Sequence, residues 1–111
     1  MPEIRPVTLL NAPILTTCGT FSMRKIPLLL ARSILADQGF ESAIGHTTTA
    51  QLVSRLMEID CPMSRREYRQ KVGDIAVVLQ LHKRLPEGAT LNTLAEIDEV
   101  GYSLTLLERL A

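Results

Sequence analysis

Apolar and polar positions change period several times along the chain, and each change marks an element. Residues 7–11 (VTLLN) are a β-branched and aliphatic run stopped by Asn11, Ala12 and Pro13, which predicts a first strand ending in a polar turn. Over residues 14–26, Ile14, Thr16 and Thr17 favour extended chain, Gly19 favours a bend, and Phe21 and Met23 alternate; a second strand or a hairpin arm is expected. Pro27 suits the first position of a helix and Gly39 the residue just beyond its end. Between them Leu28, Ala31, Ile34 and Leu35 recur at helical spacing and leave Arg32, Ser33 and Asp37 for solvent. A short apolar strand over residues 40–44 follows.

The next helix is expected over residues 47–58, with Thr47 or Thr48 as cap and a buried stripe of Ala50, Val53, Leu56 and Met57, ended by Cys61 and Pro62. Residues 63–71 (MSRREYRQK) alternate and are basic, the pattern of a charged edge strand. Gly73 and Asp74 mark a turn into the clearest strand, residues 74–84. There Ile75, Val77, Leu79 and Leu81 share one face, and Ala76, Val78, Gln80, His82 and Arg84 the other. Its first half is apolar on both faces, as for a strand covered on both sides. Pro86, Glu87 and Gly88 form a turn. A last helix over residues 92–100 carries a capping box from Thr93 to Glu96, turns Leu94 and Ile97 inward and closes at Gly101. Residues 102–110 are the final strand. The expected fold is α/β: a single domain over residues 1–111, with a mixed sheet of about five strands flanked by helices.

Hydrophobic residues are 46% of the chain and aromatic ones 4% with no Trp, so the core is aliphatic. Twelve basic and twelve acidic residues cancel, leaving no global field for duplex DNA or an anionic membrane. A nucleic-acid partner must then be small or met by a local basic cluster. Cys18 and Cys61 match no zinc spacing and read as free thiols in a reducing cytoplasm; no metal and no cofactor is expected. No apolar run approaches a membrane span, and the N-terminus lacks a signal-peptide pattern.

Candidate chemistry concentrates in residues 40–50 (FESAIGHTTTA). A strand ending at Gly45 and running into a helix presents unpaired N–H groups and the positive end of the helix dipole, an arrangement suited to phosphate. His46 at its lip adds a group that transfers protons near neutral pH. Strand–helix turns also carry Gly and His for structural reasons, and this pattern alone does not separate the two.

Four segments carry a wider resemblance: VTLLNAPILT, SAIGHTTTAQLVSRL, SRREYR and AVVLQLHKRLPEG. In order and spacing they resemble the small viral ring nucleases, anti-CRISPR proteins of archaeal viruses and phages with scattered bacterial copies. The resemblance runs from about Val7 to Leu110. It implies a homodimer that binds cyclic tetra-adenylate, the second messenger of type III CRISPR defence. It also implies metal-free cleavage to linear di-adenylates, which silences the effectors that the messenger switches on. His46 falls on the family's catalytic histidine, Arg84 and Glu87 on its arginine and acidic turn residue, Arg65 on the arginine of the basic segment, and Asn11 on the cavity-lining loop. Arg66 directly after Arg65 leaves open which of the two faces the ligand.

RNA-type phosphodiesters carry their own nucleophile, the 2′-hydroxyl. His46 is the expected acid for the leaving 5′-oxygen, with Arg84 and the amides at Gly45, Thr47 and Thr48 holding phosphate oxygens. Glu87 is left as an orienting group or a base, and His82, near Arg84, reads as a surface histidine. Two other functions fit the same sequence: a binding-only sponge or sensor of cyclic oligoadenylate, and a small structural or regulatory viral protein.

Overall fold

The computed structural model describes residues 6–11, 18–45, 47–65, 68–82, 97 and 99–111. Among these are strands β1 (Val7–Leu10), β2 (Phe21–Lys25), β3 (Phe40–Ser42), β4 (Ile75–Leu81) and β5 (Tyr102–Arg109), with helices α1 (Leu28–Gln38) and α2 (Thr47–Met57). The strands form one mixed sheet in the order β2-β5-β4-β1-β3. β1 lies parallel to both β3 and β4, while β5 runs antiparallel to β4 and β2.

Strand alternation sends two sets of side chains to opposite faces. On one, Val7, Leu9, Val77, Leu79, Leu104 and Leu106 pack with α1 through Ala31 and Leu35 and with α2 through Leu52, Val53 and Leu56. On the other, Leu10, Ala76, Val78 and Leu107 are buried with Phe21 and Tyr68 against them. Burying each such aliphatic side chain contributes about 1.5–3 kcal/mol. The double-sided apolar pattern of β4 is therefore that of a strand covered on both faces, as its sequence implies.

Several boundaries differ from those expected, each for a local reason. Pro27 stands one position earlier than expected, as the extended N-cap residue (φ −74°, ψ 157°), and Gly39 ends α1 at φ 73°. Arg32 is not left to solvent: its Nε donates to the Leu56 carbonyl at 2.8 Å, satisfying an acceptor in the last turn of α2. α2 stops before Cys61 and Pro62 are reached. Glu58 takes a left-handed conformation (φ 56°) and the Ile59 N–H returns to the Ser54 carbonyl at 3.1 Å, a Schellman closure without glycine.

The largest correction concerns residues 63–71, whose described part contains no strand. The sheet edges are β2 and β3 instead. Gln70 is buried, and its Nε2 donates to the carbonyls of Asp74 (2.7 Å) and Leu107 (2.9 Å), so this segment packs over the sheet through side chains rather than extending its ladder. The turn into β4 is as expected, with the Asp74 N–H on the Lys71 carbonyl at 2.9 Å and Gly73 at φ 89°. Near the C-terminus Ile97, Glu99 and Val100 are helical, Ile97 is fully buried, and the Gly101 N–H closes on the Ile97 carbonyl at 3.0 Å. The capping box, Leu94 and the Pro86–Gly88 turn lie outside the described residues.

Candidate functional site

Because β1, β3 and β4 are parallel, their carboxyl ends lie along one edge of the sheet. Ligands of open α/β sheets gather outside such ends, where loops leave the strands and backbone groups are unpaired. Here the edge carries Asn11 after β1, the 43–45 turn after β3, and His82 after β4. Leu9 pairs with Ser42, and the Ala43 N–H donates to the Leu9 carbonyl at 3.0 Å. Half-buried Asn11, two residues on, therefore reaches the level of the turn.

The turn is held by a segment from across the chain. The Ile44 N–H donates to Ser42 Oγ at 3.3 Å, and the Ile44 carbonyl accepts from the Ser64 N–H at 2.8 Å. Arg65 Nε donates to the Gly45 carbonyl at 3.1 Å. A side chain at Gly45 would crowd this contact, since a Cβ there would stand 3.3 Å from Arg65 Cγ. Glycine is required here for close approach, because its backbone is not in the left-handed region. Nε is the atom used on the carbonyl, and a guanidinium has further donors on its terminal nitrogens.

The expected cap is corrected. Thr47 is already the first residue of α2, and its Oγ1 donates to Met63 Sδ at 3.3 Å. Thr48 is half-buried in the same turn. The first turn holds no acidic residue, so no carboxylate competes for its dipole.

Of the residues singled out in the sequence, Gly45, Thr47, Thr48 and Arg65 are brought together, with Asn11 beside them on the same edge. Arg65 is on the turn. His46, Arg66, Arg84 and Glu87 lie outside the described residues. Sequence reading missed Met63 and Ser64 as parts of the clamp. Their alternation with Arg65 has the pattern of a ladder, whereas the Ser64 N–H meets the Ile44 carbonyl just beyond the end of β3. Cys61 is no alternative nucleophile: burial pushes its thiol up, Asp60 adds to this, and the Ser42 hydrogen bond only partly opposes it. Among the described residues no cluster of His, Cys, Asp or Glu could hold a metal, and no helix is long and apolar enough to cross a membrane.

Comparison with known proteins locates this architecture. The family described as STIV B116-like matches residues 7–104. The solved structure of B116 of Sulfolobus turreted icosahedral virus superposes with a TM-score of 0.77 at 26% identity, covering 94% of this chain and 99% of that one. Protein ORF117 of Acidianus two-tailed virus is 35% identical over 91 residues, 80% of this chain and 78% of the relative. YddF of Bacillus subtilis is 30% identical over 106 residues, 94% of this chain and 97% of the relative.

Proposed function

The chain belongs to the STIV B116-like family, and we propose that within it this protein is a metal-independent ring nuclease acting on cyclic tetra-adenylate. The observation that carries the reading is the Arg65 guanidinium fixed on the Gly45 carbonyl, one residue before His46 and at the mouth of α2. A cation beside a helix N-terminus, with an imidazole next in the sequence, supplies phosphate binding and proton donation, the two functions that transesterification by a 2′-hydroxyl requires.

In the proposed reaction the phosphate seats against Arg65 and the amides opening α2, with Thr47, Thr48 and Arg84 on its oxygens and Asn11 along the ring. Arg66 completes the basic cluster. The 2′-oxygen attacks phosphorus, and His46 protonates the departing 5′-oxygen. An anion beside His46 favours imidazolium, the donating form. Proximity within a bound ring adds to the rate without any protein group. Glu87 orients an arginine or a ribose hydroxyl. The chain works as a two-fold homodimer, so that two equivalent sites meet two phosphates of a four-fold ligand. Opening the ring ends its signalling to type III CRISPR effectors.

The test is incubation of the protein with cyclic tetra-adenylate in buffer containing chelator. Wild type converts the ring to linear di-adenylates, and His46→Ala binds it without turnover. A ring left intact by wild type yet bound tightly would replace the nuclease by a sponge, and no binding at all would overturn both.

A further inference from the structure

Among the described residues, large apolar side chains stand exposed on β2 (Met23), on α1 (Leu29 and Leu30), in the turn before β4 (Val72), beyond β5 (Leu110) and at Met63. Of these, Met63 is the one tied to the Gly45 turn, and it is 45% exposed. Its sulfur accepts the hydroxyl of Thr47, the first residue of α2, at 3.3 Å. Its backbone is held from the adjoining positions, where the Ser64 N–H donates to the Ile44 carbonyl at 2.8 Å and Arg65 Nε to the Gly45 carbonyl at 3.1 Å. Met63 belongs to neither buried cluster, so core packing does not explain the restraint. Holding a long unbranched side chain at the surface costs rotamer entropy that so little burial does not offset. A thioether is also a weak acceptor, so the Thr47 hydroxyl passes readily to a stronger one such as a phosphate oxygen. What stays at the surface is an apolar, polarizable group beside a cation and a helix N-terminus.

We propose that Met63 is a specificity-determining residue of this site, with its thioether against the flat face of a purine base of the bound ring; this rests on the nuclease reading above. In a nucleotide the base is joined to the phosphate through one sugar. A phosphate seated at Arg65 and Thr47 therefore brings the base to the apolar flank of the seat. Once Thr47 has turned to the phosphate, the unbranched side chain adjusts to the base, and sulfur packs favourably on aromatic rings. Met63 has no amide, hydroxyl or charge with which to read a base edge. It favours bases by the area of their faces, purine over pyrimidine. Arg65 and Thr47 meet phosphate, and their contribution is the same for any ring of this size.

The experiment measures, by titration calorimetry, the binding of two rings that lack the 2′-hydroxyl and so stay intact: cyclic tetra-deoxyadenylate and cyclic tetra-deoxythymidylate. Wild type, Met63→Ala, Met63→Gln and Arg65→Ala are compared, with thermal unfolding followed alongside. Wild type is expected to prefer the adenine ring. Met63→Ala loses about 5- to 10-fold in affinity for that ring, the scale of one sulfur–aromatic contact. Its affinity for the thymine ring stays within about twofold of wild type. Met63→Gln, of similar length without the thioether, behaves as Met63→Ala does, whereas Arg65→Ala weakens both rings by the same factor. Equal losses for both rings in Met63→Ala would make Met63 a support of the phosphate seat and overturn the assignment. Adenine-ring affinity within about twofold of wild type would overturn it too. Should Met63→Ala not fold, a Met63→Gln protein that keeps the wild-type preference overturns it instead. Wild type that binds neither deoxy ring and leaves cyclic tetra-adenylate unbound and uncut overturns the nuclease reading itself. Wild type that cleaves cyclic tetra-adenylate but binds the two deoxy rings equally overturns this assignment alone.

Discussion

Substituting Gly45 by alanine separates positioning from packing at the site. The added methyl would stand 3.3 Å from Arg65 Cγ, inside the roughly 3.5–4.0 Å optimum for carbon pairs. Relief requires Arg65 to retreat by a few tenths of an ångström. The Nε to Gly45 carbonyl distance, now 3.1 Å, then reaches the limit of a useful hydrogen bond. An exposed bond of this kind is worth about 1 kcal/mol at most. Alanine also narrows the unfolded ensemble by about 0.4–1 kcal/mol at a backbone position that does not need a positive φ. These terms oppose each other, so the melting temperature should move by no more than about 4 °C. The proposed catalysis has no such compensation. Displacing a phosphate ligand by a fraction of an ångström to about 1 Å lowers turnover by up to about 10²-fold. Thermal melts followed by calorimetry, together with single-turnover cleavage of cyclic tetra-adenylate, read both quantities on one sample. Wild-type turnover in Gly45→Ala would refute the idea that the Arg65 clamp positions the phosphate. A loss of several kcal/mol of stability would show instead that Gly45 is a packing residue.

Three other outcomes follow from the fold. Glu58→Gly should stabilise the protein by about 1 kcal/mol in urea denaturation, because a left-handed helix terminus is strained for glutamate and its 3.9 Å contact with Arg32 is exposed; unchanged stability would contradict the Schellman closure. Gln70→Ala should destabilise by about 2–4 kcal/mol, since two carbonyls lose the same donor, and a change below 0.5 in roughly the same units would contradict its bracing role. The raised Cys61 pKa adds stability that is fully present below the ordinary thiol value and is lost as pH rises through the folded value, because the folded state holds that proton more tightly. Denaturation midpoints should therefore fall more steeply above about pH 8.5 in wild type than in Cys61→Ala.

The legible part of the fold was the part set by local chemistry. Gly39 and Gly101 end helices at positive φ, Gly73 turns the chain, and the double-sided apolar run of β4 announces a central strand. Residues 63–71 misled because alternation of charged and apolar positions is shared by edge strands and by segments that send single side chains into a groove. Only tertiary structure shows Gln70 turned onto the Leu107 carbonyl. Arg32 misled for a related reason: a charged residue on a helix reads as solvated until a second helix brings the Leu56 carbonyl to it. At the site, the strand-to-helix turn was visible in Gly45 and the threonines. The clamp formed by Met63, Ser64 and Arg65 was not, because it joins positions about twenty residues apart.

The most direct test of the central claim is the mass of the product termini after wild-type protein meets cyclic tetra-adenylate without metal. Transfer through the ring's own 2′-hydroxyl predicts di-adenylates ending in 2′,3′-cyclic phosphate and 5′-hydroxyl, with none formed by His46→Ala. A 5′-phosphate terminus would contradict the account, because it requires attack by water on a site built to protonate the 5′-oxygen.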